Sequence, residues 1–195
     1  VALRNTQNAA RLVQALGDLA QLDEPEFKLR TEVMDVSELL DDVAVRFAER
    51  AERQGIRVVT AEHVDSSAPL AAVDVELFER AIANLVDNAI RYTPEGGKVD
   101  LSVTVHAGRA TLQIKDSGPG IAVDERLRVF DPFYRTLGND QVGSGLGLAI
   151  VKTIADRIGA ELNVGFSNEV TGSGLRICVL IPLKYSGERS TLRTE

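Results

Sequence analysis

Cysteine is almost missing from this chain: Cys178 stands alone in an apolar run, so no internal disulfide can form. Histidine is nearly as scarce, and two scattered histidines with one cysteine cannot make a zinc site. No apolar run approaches the ~20 residues of a membrane span, and no signal-peptide pattern opens the chain. Positive charge is in deficit too, with 22 Lys and Arg against 29 Asp and Glu and a formal charge of -7. No basic cluster locally overrules that total, which argues against nucleic acid as a partner. What remains is a globular chain of 195 residues, enough for one sizeable domain plus an appendage. A reducing, cytoplasmic setting fits it. Because the chain opens Val-Ala-Leu rather than with Met, the expectation is a fragment that itself makes no membrane contact.

The informative stretch is Asp116-Ser117-Gly118-Pro119-Gly120-Ile121. By the period of two, Ala110, Leu112 and Ile114 share one face of a strand, and Asp116 falls on that same apolar face. A core-facing carboxylate needs a partner, because burying an unpaired charge is costly. Followed by glycines that let the backbone turn and approach a ligand, it suggests a pocket receiving a hydrogen-bond donor. The plainer alternative is an Asp that opens a surface turn.

Taken in order, residues 2–22 repeat apolar side chains at Ala9, Leu12, Val13, Leu16, Leu19 and Ala20, the mark of an amphipathic helix. No neighbour in sequence is an obvious mate, so this stripe is expected to pack on a missing helix or another chain. Asp35 caps a helix with Glu38 completing a capping box, and Val36, Leu39, Leu40, Val43 and Phe47 form its buried face. Ile56 to Thr60 reads as a strand, and His63 sits in a polar loop. Asp74 caps a second helix with Leu77, Phe78, Ala81, Ile82, Leu85 and Ala89 inward. Along the margin of that stripe, Asn84, Asn88 and Arg91 stack at i, i+4 and i+7, either as surface amides or as ligands. Val99 to Val105 alternates, leaving His106 on the polar face, and a hairpin leads to the strand ending at Asp116. A short helix is expected near Asp124 to Val129, then Phe130-Asp-Pro-Phe-Tyr-Arg135 and a mobile loop from Thr136 to Ser144. Gly143-Ser144-Gly145-Leu146-Gly147 opens a helix whose free N–H groups suit phosphate, and a final hairpin and a disordered tail from Ser186 follow.

A strand-end carboxylate, two asparagines and a glycine-rich helix start supply three contacts that one nucleotide needs. Amide oxygens can ligate magnesium without adding charge, and Asp116 can accept from the amino group of adenine.

These stretches together resemble a known family. Asn84-Leu-Val-Asp-Asn88-Ala-Ile-Arg-Tyr-Thr-Pro, Asp116-Ser-Gly-Pro-Gly-Ile121, Phe130-Asp-Pro-Phe-Tyr-Arg135 and Gly143-Ser-Gly-Leu-Gly-Leu-Ala-Ile-Val-Lys152 are similar, in order, to the N box, first glycine box, F box and second glycine box of bacterial sensor histidine kinases. The resemblance runs from about Leu3 to Lys184. It implies the Bergerat fold, a two-layer α+β sandwich in which a mixed, mostly antiparallel sheet packs on helices, with a flexible ATP lid. Its implied division is 1–26 for part of a dimerisation and phosphoacceptor hairpin, 27–185 for the ATP-binding domain and 186–195 for a tail. The implied ligands are ATP and Mg2+. Asn88 would hold the metal, Asp116 would read adenine, and Asn84, Asn88 and Arg135 would be catalytic. Arg91, Tyr92, Gly118, Gly120, Ile121, Tyr134, Gly143, Ser144, Gly145, Leu146, Gly147 and Leu148 would complete the nucleotide site.

The implied activity is transfer of the ATP γ-phosphoryl group to a histidine in a two-component pathway. Neither His63 nor His106 has the acidic neighbour of a phosphoacceptor, so the acceptor is expected in the parent's missing helix. Implied partners are that hairpin, a response regulator and a second copy of the full-length protein, with any anchor in the bacterial inner membrane belonging to the parent. Two other functions stay open. One is a related ATPase of the gyrase, mismatch-repair or chaperone type, which places a glutamate where this chain has Asn84. The other is a nucleotide-gated interaction module without chemistry.

Overall fold

In the computed structural model the described residues are 12–17, 19–22, 24, 26–61, 68–135 and 144–184. His63, Gly143, most of the expected mobile loop and the tail lie outside them. Five strands form the main sheet: β2 (Arg57–Thr60), β4 (Lys98–His106), β5 (Arg109–Asp116), β6 (Glu161–Asn168) and β7 (Ser173–Pro182). Their order is β2-β4-β5-β7-β6, with β2 parallel to β4 and every other pair antiparallel. A separate antiparallel pair joins β1 (Thr31–Asp35) to β3 (Leu70–Asp74). Helices α1 (Val36–Arg53), α2 (Val75–Tyr92) and α3 (Gly147–Ile158) complete the fold. The mixed sheet packed on helices is the architecture the resemblance implies.

Alternation decides which face of the sheet meets the helices. In β5 Ala110, Leu112 and Ile114 are buried, as are Val99, Leu101 and Val103 of β4 and Leu175, Ile177, Val179 and Ile181 of β7. Onto that face α2 turns Leu77, Phe78, Ala81, Ile82, Leu85, Val86, Ala89 and Ile90, all buried. Phe78, Ile82, Val86 and Ile90 are fully buried, and burying a side chain of this size contributes roughly 1.5–3 kcal/mol, so the α2–sheet layer is a large part of the core. Both long helices start on an aspartate, as their sequences require. Asp74 accepts from Leu77 N at 3.3 Å, and Asp35 accepts from Ser37 N at 2.8 Å.

The structure departs from expectation in four places. Asp35 bonds the second amide of α1, not that of Glu38, so the capping box is incomplete; its oxygen is already occupied by a nearer N–H. β3 was hidden because its alternation lasts only five residues before Asp74 begins a helix. Between Ile121 and Phe130 there are two 3-10 turns, Val123–Glu125 and Arg128–Phe130, instead of one helix. Finally, the N-terminal helical stretch is not wholly without a mate. Its residues 12, 15 and 19 pack against the core and Leu22 is buried within it, while Val13 and Leu16 remain exposed. Among the described residues no helix is long and apolar enough to cross a membrane.

Candidate functional site

Asp116 ends β5 on its apolar face and is only 6% exposed. Its partners are backbone amides: Oδ1 accepts from Gly118 N at 2.8 Å and from Leu175 N at 3.0 Å. Among the described residues nothing bonds Oδ2. Burial pushes the carboxyl above its usual range, and the two amide bonds pull partly the other way. The turn that delivers those amides requires glycine. A β-carbon on Gly118 would stand 2.5 Å from the carbonyl oxygen of Tyr92, so only a bare α-carbon lets this turn seat against the end of α2.

From α2 the cavity receives Asn84, Asp87, Asn88, Arg91 and Tyr92, one line along the helix margin. Asn84 Nδ2 donates to Arg80 O at 2.9 Å, and a β-carbon on Gly147 would approach Asn84 Oδ1 to 3.3 Å. The first asparagine therefore abuts the start of α3. Asn88 has no protein hydrogen-bond partner among the described residues. Asp87 pairs with both Arg50 and Arg91.

The stretch before α3 closes another wall. Tyr134 and Arg135 line the cavity with Ser144, Gly145, Gly147 and Leu148. Tyr134 donates its hydroxyl to Glu125 Oε1 at 2.8 Å, and Arg128 lies over its ring at 4.5 Å. That bond to a carboxylate raises the phenol above its ordinary range. Phe133 N donates to Gly145 O at 3.0 Å, and Gly145 has φ +70°. An added β-carbon there would meet the Phe133 backbone at 2.9 Å, so the two glycine-flanked stretches touch main chain to main chain. Leu146 N donates to Ser144 Oγ at 3.3 Å.

The resulting cavity holds about 300 Å³, the small end of ordinary ligand pockets at roughly 300–1,000 Å³. Thirteen of the sixteen residues singled out from sequence line it: Asn84, Asn88, Arg91, Tyr92, Asp116, Gly120, Ile121, Tyr134, Arg135, Ser144, Gly145, Gly147 and Leu148. Gly118 shapes the turn behind Asp116, Leu146 is fully buried as core, and Gly143 lies outside the described residues. Sequence reasoning did not single out Ala15, Asp87, Pro119, Val129, Ile150 and Leu175 on the lining. Asp87 carried a signal, since it shares the helix margin with Asn84 and Asn88. Leu175 did not, because its part is played by a backbone amide.

A strand-end carboxylate, an unengaged amide and a helix start around one cavity are set out as in a nucleotide-binding fold. A model of the histidine kinase-, DNA gyrase B-, and HSP90-like ATPase family matches residues 73–185, more than half of the chain. The chain belongs to this family. Over 91% of its length it is 32% identical to the swarming motility regulation sensor protein RssA of Serratia marcescens, and it covers 37% of that protein. In structure it resembles full-length ShkA in complex with AMPPNP, with a TM-score of 0.80 at 31% identity over 93% of this chain and 37% of that one. The mycobacterial sensor histidine kinase MprB superposes with a TM-score of 0.67 at 32% identity, covering 78% of this chain and 97% of that one. The chain thus spans little more than a third of the curated relative it matches. Within the ATPase family it is an ATP-binding domain of the sensor-kinase type.

Proposed function

We propose that the cavity takes ATP with magnesium and that the chain serves a sensor histidine kinase as its catalytic region, passing the γ-phosphoryl group to a histidine elsewhere in the parent. The observation that carries this is Asp116: one oxygen is held by two amides, and the other, facing a cavity, has no partner among the described residues. Such a carboxylate suits a donor of the adenine amino type and rejects a base presenting a carbonyl there.

The residues present fit the rest of the ligand. Asn88 offers an unengaged amide oxygen, a neutral ligand of the kind magnesium accepts beside phosphates. Magnesium, when bound, would offset the charge of the phosphates. Arg91, Arg135 and the amides opening α3 supply positive potential along the same wall. Phosphoryl transfer depends mostly on positioning and charge, and this lining offers both. Asn84 separates the reading from a water-activating ATPase, because an amide that donates to Arg80 O has no useful proton affinity near neutral pH. His106 is exposed at the end of β4 and is not proposed as an acceptor. The acceptor would be a phosphoacceptor hairpin of the parent, with a response regulator as the next recipient, a homodimer as the working assembly and the cytoplasm as its place.

The test is radiolabelled ATP with magnesium, given to this chain alone and together with a separately made hairpin from its parent. The chain alone should bind ATP and gain no acid-labile phosphate, while the hairpin should be labelled slowly, since docking loses the effective concentration of a covalent link. Phosphate release without labelling would favour the ATPase reading. Binding with neither outcome would favour a nucleotide-gated module.

A further inference from the structure

Ion pairs tie α1 to α2, and one of them reaches the cavity. Arg46 pairs with Glu79, and one turn further along α1 Arg50 pairs with Asp87. Glu79 is not on the lining, whereas Asp87 is, its side chain 27% exposed. Asp87 spreads its two oxygens: Oδ1 receives Arg50 Nη1 and Oδ2 receives Arg91 Nη2. Arg91 lines the cavity, but Arg50 does not; it lies beside Phe47, 5.9 Å from the ring centroid.

A carboxylate on the wall of a polyphosphate site is a liability, because like charges repel over several ångströms in a partly desolvated cleft. Without Arg50, the offset of Asp87 would fall to Arg91, a guanidinium on the lining itself. We propose that Arg50 is a positioning residue for the nucleotide: it neutralises Asp87 from outside the cavity, so that no uncompensated carboxylate faces the phosphates. Removing Arg50 withdraws one positive charge from beside Asp87. This role rests on the nucleotide reading above, and it makes a helix outside the four sequence boxes part of phosphate binding.

The test compares ATP with adenosine by titration calorimetry on the folded chain. Arg50→Gln, which keeps a long side chain beside Phe47, should weaken ATP about threefold to tenfold and leave adenosine unchanged. Arg46→Ala, cutting the neighbouring pair, should alter neither. Adding Asp87→Asn to Arg50→Gln should restore most of the ATP affinity, because the charge needing neutralisation is gone. Equal losses for ATP and adenosine, or no recovery in the double variant, would overturn the proposal, since packing or direct contact would then explain Arg50. Should the unaltered chain bind neither ligand, the nucleotide reading falls, and this proposal with it; binding of both with an indifferent Arg50→Gln would sink this proposal alone.

Discussion

Asp116 and Asp87 line the same cavity and are held by opposite chemistry. Asp116 is buried, forms no ion pair among the described residues, and is kept by two backbone amides on one oxygen. Asp87 is more open, and guanidinium groups from two helices occupy both of its oxygens. The difference separates two uses of a carboxylate. An acid fixed by main chain, with an oxygen to spare, can read a donor; an acid filled by arginines can only shape the field. Asp116 should therefore be costly to replace and Asp87 cheap, provided the charges around Asp87 are kept in balance.

The largest effect should come from Asp116→Asn. The amide oxygen can still accept both backbone bonds, so the fold should survive, but the spare position becomes a donor facing the donor it used to accept. A charge-assisted hydrogen bond contributes about 1.5–3 kcal/mol, so ATP affinity should fall roughly tenfold to a hundredfold. Calorimetry on the folded variant reads this directly, and unchanged affinity would remove the adenine role. Asp87→Asn, measured beside it, should stay within a few-fold of the unaltered chain.

Next in size is Gly145→Ala, which tests the wall that no carboxylate builds. The position combines φ +70° with Phe133 backbone atoms 2.9 Å from where a β-carbon would stand. Left-handed backbone costs a side chain roughly 1–2 kcal/mol, and the clash adds to it. The expected loss is about 1–3 kcal/mol in denaturant unfolding, accompanied by weaker ATP binding. Stability within a few tenths of a kcal/mol would show that Phe133 can yield. Phe133 itself has φ +65°, a conformation that side chains rarely adopt, so the corner already carries strain on the Phe133 side.

Much of this arrangement is legible in the sequence, because it rests on periodicity. The burial of Ala110, Leu112, Ile114 and Asp116 follows from alternation alone, as does the exposure of His106. The line of Asn84, Asn88 and Arg91 follows from a repeat of 3.6. What could not be read was pairing between distant segments. Nothing in Leu70–Asp74 names Thr31–Asp35 as its mate, and nothing in Arg57–Thr60 says that it runs parallel to β4. Leu175 was invisible for a further reason: its amide serves Asp116, and any residue with an N–H could stand there. Asp87 was legible as a position but not as a hub, since Arg50 lies 37 residues away.

A smaller effect is expected from Asn88→Ala. If its amide oxygen ligates magnesium, the mutant should lose part of the metal's benefit and little of the metal-free affinity. Titrating ATP with and without magnesium makes the comparison internal, and an equal benefit in both proteins would count against the role. Adjacent on the helix, Asp87 offers a contrast: its oxygens are occupied, so Asp87→Asn should leave the metal's benefit intact.

The smallest effect concerns pH, and it is read on Asp116 without any ligand. Burial raises the Asp116 carboxyl above its usual range, despite the amide bonds that favour its charged form. The folded chain therefore binds this proton more tightly than the unfolded chain. Its contribution to stability is fully present below the unfolded pKa, near 3.9 for aspartate, and is lost as pH rises through the higher folded value. One proton changes the slope by no more than about 1.4 kcal/mol per pH unit. Acid unfolding of the rest of the chain will hide so small a term, so the quantity to measure is a difference. Subtracting the stability of Asp116→Asn from that of the unaltered chain, across the mildly acidic range, should leave a difference that falls as pH rises. A flat difference would mean that the amide bonds offset burial fully, and a rising one that they overcome it.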